Sequence, residues 1–128
     1  MTQNDFLLVL STCPERATGV ALARSLLEAG HAACVNVVPG VHSLYVWQGA
    51  LQADDEVLLL IKTTARQFPA LREALVAQHP YELPEVIAID IADGHHPYLQ
   101  WLAEPRGAAR ANDPDGSPRD ALLPPRRT

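Results

Sequence analysis

The alternation of apolar and polar positions opens with an apolar run over residues 6–10, bounded by Asp5 and Ser11, which predicts a short strand buried on both faces. Thr12 follows as a helix cap, with Pro14 in the first turn, Glu15 near the positive dipole end and Gly30 just past the last periodic residue. Gly19 lies inside that helix at a cost of about 1 kcal/mol relative to alanine and reads either as a mark of close packing or, the reading favoured, as a tolerated defect. Residues 32–47 are strand-like, interrupted at Pro39–Gly40, where proline cannot donate to a ladder and a bulge is expected. Gln48–Gly49 supplies a turn, and a second arm runs from Leu51 to Thr63, completing a long β-hairpin.

Phe68, Leu71, Leu75 and Val76 then recur at helical spacing after Pro69, and this helix should stop before Pro80. Residues 86–91 form another short apolar strand, and Pro97 opens a terminal helix carrying Tyr98, Trp101 and Leu102. The order β-α-β-β-α-β plus a helix predicts an α+β, ferredoxin-like fold, with both crossover helices on one face of an antiparallel sheet. An antiparallel sheet wetted on one side should alternate, yet Val57, Leu59 and Ile61 point one way while Leu58 and Leu60 point the other. The open face therefore needs a partner, and a second copy of the chain is the most economical one.

Composition narrows the class. The chain has 128 residues, 48% of them hydrophobic, enough for one domain and one core. The longest apolar run, residues 57–61, is far short of the roughly 20 residues a membrane span needs. The net charge of −5 divides unevenly: residues 1–104 carry five basic side chains against twelve acidic ones, and residues 105–128 carry five against three. An acidic body argues against nucleic acid as a partner. Residues 1–104 read as the domain and 105–128, rich in proline and arginine, as a flexible tail. The N-terminus has no secretory pattern and only two cysteines occur, so a cytoplasmic protein without disulfides is expected.

No phosphate loop, GxSxG elbow, CxxC pair or HExxH helix is present. Four segments are informative together: 33–40 (ACVNVVPG), 43–49 (SLYVWQG), Asp55-Glu56-Val57 leading to Lys62-Thr63-Thr64, and 79–85 (HPYELPE), with 98–102 (YLQWL) at the end. In order and spacing they closely resemble the CutA family of divalent-cation tolerance proteins, over about residues 6–102. The resemblance implies a homotrimer of ferredoxin-like subunits, similar in build to the P-II signalling proteins. It also implies a role in metal response, binding copper or a similar divalent metal such as zinc, with no catalytic activity and no organic cofactor. The family's copper-linked pattern, a cysteine ending the first strand and two histidines before the HPY proline, reads here as Ser11, Gln78 and His79.

His79, with Cys13 nearby and Glu85 completing a mixed shell, is therefore the candidate metal set, since imidazole suits copper and zinc and a thiolate suits Cu(I). For His79 the competing reading is an imidazole serving the last carbonyls of its helix. Trp47, Lys62 and Tyr81 form a second group, aromatic faces beside the single lysine, suited to a cleft for a small anionic ligand or to packing between subunits. Lys62 is expected to pair with Glu56 or Glu85. A P-II-like ligand sensor or interaction scaffold without a dedicated metal site is the alternative function.

Overall fold

The computed structural model describes residues 5–104. β1 runs Phe6–Cys13, three residues further than its apolar run predicts. The extension follows from sheet pairing, because Ser11, Thr12 and Cys13 stand opposite Leu59, Leu58 and Val57 of β3, so Thr12 is held in the ladder. Thr12 is thus not a helix cap. That position falls to Glu15, extended at φ −156° and making no side-chain cap bond, and α1 spans Arg16–Glu28. Gly30 closes α1 at φ +80°, its N–H reaching Leu27 O while His31 N–H reaches Leu26 O, an arrangement that glycine enters without steric cost.

Gly19 is a packing device, the less favoured of its two sequence readings. A Cβ built there would lie 3.1 Å from Val57 Cγ2 and 3.3 Å from Leu59 Cδ2, so its absence lets α1 settle onto β3.

β2 (Cys34–Trp47) and β3 (Ala50–Thr64) form the long hairpin, joined at Gln48 (φ +51°) and Gly49 (φ +81°). Two consecutive positive φ values match the handedness of a type I′ turn. The register shifts between Val38 and Val41, so Pro39–Gly40 is the predicted bulge. α2 (Phe68–Gln78) has a proline in its first turn and stops before Pro80, β4 is the short strand Ile87–Asp90, and α3 is His96–Ala103.

The sheet has the order β2-β3-β1-β4 and every pairing is antiparallel. Alternation along β1 turns Leu7, Val9, Ser11 and Cys13 to one side, where they join Leu22 and Leu26 of α1, Leu59 and Ile61 of β3, and Leu71 and Leu75 of α2 in the core. The opposite side carries half-buried Leu8, Leu10, Leu58 and Leu60, with Ile87 and Ile89 of β4 49% and 45% exposed. α3 covers one end of the sheet, burying Leu102, and leaves the rest of that face uncovered within the chain. Residues 1–4 and the expected tail, 105–128, lie outside the described residues.

Candidate functional site

The residues singled out for chemistry converge where β1 ends and α2 stops. Pro80 disfavours helical backbone at the residue before it, so His79 turns extended (φ −72°, ψ 140°) and caps α2. That turn folds its imidazole inward, buried, against the last residues of β1. Nδ1 lies 3.1 Å from the Tyr81 backbone nitrogen and Nε2 lies 2.8 Å from the Thr12 carbonyl oxygen. An amide can only donate and a carbonyl can only accept, which assigns the neutral tautomer: Nδ1 accepts from Tyr81 and Nε2–H donates to Thr12. Both ring nitrogens are thereby used.

Cys13 is fully buried with Sγ 3.9 Å from His79 Nε2, so the structure does bring these two predicted residues together. Burial, reinforced by the charge of Glu56, pushes the thiol up from an ordinary 9.0 to about 11, which keeps it protonated at neutral pH. Tyr81 stacks at a tilt on His79, ring centroids 4.8 Å apart, and donates its hydroxyl to Glu56 Oε2 at 2.5 Å. Burial and that hydrogen bond raise the Tyr81 phenol as well. The result is a hydrogen-bonded clasp tying the loop after α2 to β1 and β3. Ser11, two residues back on the same side of β1, is fully buried with its hydroxyl unpaired among the described residues.

As a metal centre this arrangement fits poorly. Copper and zinc bind deprotonated thiolate and the free lone pair of imidazole, whereas here the thiol is protonated and the lone pair accepts the Tyr81 amide. Glu85, half-buried ahead of β4, is not joined to the pair, and Gln78 is exposed. Among the described residues no three His, Cys, Asp or Glu side chains are placed to hold a metal ion.

The second predicted group is spread along the hairpin. Trp47 faces Ala50 at the tip and Lys62 faces Cys34, twelve residues further along β3, roughly 40 Å at strand rise. Tyr81 is engaged with Glu56 between them. Within one chain these three do not share a cleft. Lys62 donates to Asn36 Oδ1 at 2.7 Å and not to Glu56 or Glu85, because Glu56 lies six residues down β3 and is taken by Tyr81.

Two contacts escaped the sequence reading although its turn could have given them. Counting outward from Gln48–Gly49 sets His42 opposite Asp55, where Nδ1 lies 2.8 Å from Oδ1, and brings Tyr45 within reach of Asp54, to which its hydroxyl donates.

A family model described as CutA1 divalent ion tolerance protein matches residues 7–105. The chain belongs to the CutA1 family. It is 48% identical over 100 residues to the divalent-cation tolerance protein CutA of Thermus thermophilus, covering 78% of this chain and 97% of that one. The human protein CutA is 43% identical over 93 residues, and the match spans 52% of its length, about half. Among solved structures, the Thermus thermophilus divalent cation tolerance protein superimposes with a TM-score of 0.77 at 47% identity, covering 80% of this chain and 99% of that chain. CutA1 from Oryza sativa gives 0.76 at 41% identity, covering 88% and 100%. CutA1 relatives are thus similar to this chain throughout the sheet and its helices. Among the described residues no helix is long and apolar enough to cross a membrane.

Proposed function

We propose that this CutA1 chain serves divalent-cation tolerance as a homotrimer of ferredoxin-like subunits, a scaffold in the P-II manner, without a closed copper site on Cys13, His79 and Glu85. One observation carries this reading: the sheet face bearing Leu10, Leu58, Leu60, Ile87 and Ile89, apolar and uncovered in the single chain, is a surface that soluble proteins bury against a partner. The strand order β2-β3-β1-β4 supports the ferredoxin-like topology. A role other than catalysis is supported by the protonated thiol and the fully engaged imidazole, which leave no nucleophile–base pair at this locus. We put the protein in the cytoplasm, where its free thiols Cys13 and Cys34 stay reduced.

A second reading, direct copper or zinc binding, is favoured by the 3.9 Å approach of Cys13 to His79. It requires Nε2 to leave the Thr12 carbonyl and the thiol to lose its proton. Light scattering on the full chain and calorimetric titration with Cu(II) and Zn(II) decide between them. The scaffold reading expects a trimer mass and site affinity no tighter than about 1 mM, unchanged in Cys13→Ser and His79→Gln. Micromolar binding lost in both variants would establish the metal site instead, and a monomer mass would remove the trimer.

A further inference from the structure

At the end of the sheet opposite the His79 clasp, where Phe6 pairs with Thr64, a cavity of about 200 Å³ opens between the α1–β2 turn, the end of β3 and the last residues of α3. Its walls are held by directional bonds. Gly30, at φ +80°, turns the chain out of α1, so that His31 O accepts the Thr63 hydroxyl at 2.7 Å and Ala33 N–H donates to Lys62 O at 3.0 Å. After β3, Gln67 N–H donates back to Thr64, to O at 3.1 Å and Oγ1 at 3.2 Å, which leaves Arg66 at the bend. Buried Ala32 and Leu102 supply the apolar part of the lining. The polar part comes from Arg66, Gln67 and His31. Arg24 meets Glu28, Lys62 donates to Asn36 and Arg72 lies over the Phe68 ring, whereas Arg66 makes no ion pair among the described residues. The Gln67 side chain makes no cap bond to α2, and the His31 ring has no hydrogen bond among the described residues.

We propose that this cavity binds a small organic monocarboxylate, its charged end held by the Arg66 guanidinium with Gln67 and His31 beside it, and its short aliphatic part against Ala32 and Leu102. The inference goes beyond the scaffold reading and does not rest on the trimer, because one chain supplies every wall. None of Trp47, Lys62 and Tyr81 lines it, so it is distinct from the ligand cleft expected from the sequence. Charge and size set the ligand class. A guanidinium presents its donors as a planar fork that a carboxylate can accept two bonds at a time. In a body of twelve acidic and five basic side chains, an arginine that no described carboxylate neutralises is a place where an anion is attracted. Glu104, on the α3 wall, brings a carboxylate to the same cavity, which favours a ligand with one negative charge over one with two. At about 200 Å³ the space falls below the roughly 300 Å³ at which pockets for drug-sized ligands begin, so a short acid fits and a nucleotide does not.

The test titrates butyrate into the full, isotope-labelled chain and follows the amide chemical shifts, with butanol and inorganic phosphate as controls. Saturable shifts confined to residues 30–33, 63–67 and 102–104 are expected, with a dissociation constant on the order of 1 mM. Arg66 is exposed, so Arg66→Gln should keep the fold, which unchanged shifts elsewhere verify. That variant should weaken butyrate binding by roughly tenfold or more, and Arg66→Lys, which keeps the charge and loses the fork, should fall between. Butyrate binding unaltered in Arg66→Gln overturns the site, as do shifts centred elsewhere or no saturation by about 50 mM. The controls test the unmodified protein. Butanol binding as tightly as butyrate makes the cavity an apolar void and overturns the proposal, and phosphate binding as tightly overturns the monocarboxylate class. Light scattering on the same samples reads assembly separately, so a monomer that binds butyrate removes the trimer and keeps the site.

Discussion

At the scale of single residues, the buried polar groups near the end of β1 serve structure before chemistry. His79 connects Thr12 to Tyr81 through both ring nitrogens, and Tyr81 passes on to Glu56, so three separated pieces of chain are joined by directional bonds. Cys13 contributes through its proton. Its thiol is raised from 9.0 to about 11 first by burial and then by Glu56, so the unfolded chain releases this proton at lower pH than the folded one. Between those values the unfolded state binds fewer protons, and stability must fall as pH rises. Urea denaturation should therefore show a loss of about 2–3 kcal/mol between pH 9 and 11 that Cys13→Ala abolishes. The Tyr81 phenol, raised from 10.0, adds a later loss that the variant retains. The resemblance to the CutA family pointed to Cys13 and His79 as candidate ligands. It was silent on their protons, because tautomer and thiol state depend on a carbonyl and an amide that only the folded chain brings within 3.1 Å.

At the scale of elements, the hairpin, its turn and its bulge were legible because glycine and proline impose backbone geometry locally. α1 was less so. Its N-terminus is set by sheet pairing of Ser11 to Cys13, a long-range choice that overrides the capping preference of Thr12. Gly19 illustrates the same limit, since its penalty is local and its benefit is the approach of α1 to Val57 and Leu59. Helix propensity alone predicts that Gly19→Ala stabilises the protein. The structure reverses the sign, because both neighbours are buried and the added methyl overpacks the interface by an expected 1–3 kcal/mol, roughly. Chemical denaturation checks the sign, and a double-mutant cycle with Val57→Ala should show positive coupling between the two sites.

For the whole molecule, apolar residues on both sides of β3 announced a sheet with two buried faces, and the chain supplies helices for one of them. The open face around β4 is where assembly can be disrupted without touching the core. Ile87→Lys with Ile89→Lys should keep a folded subunit, since both positions are about half exposed, while light scattering is expected to show the proposed trimer giving way to monomer. Far-ultraviolet circular dichroism checks that the variant remains folded, and an intact trimer would assign assembly to another surface. Charge acts at this scale too. In the proposed trimer, three chains of −5 would give about −15, a charge that concentrates cations around the assembly without defining any site for them.

The strand order has a consequence for the chain as it is made. β1 is synthesised first but lies between β3 and β4, and its partner residues 57–64 follow Cys13 by about fifty residues. At ordinary ribosomal speeds of roughly 5–20 residues per second, an apolar central strand waits several seconds for its neighbours. The β2–β3 hairpin, closed by a two-residue turn, can form as soon as it emerges. The nascent chain would then present a finished ribbon and an unpaired strand together, the interval in which a holding chaperone would find it.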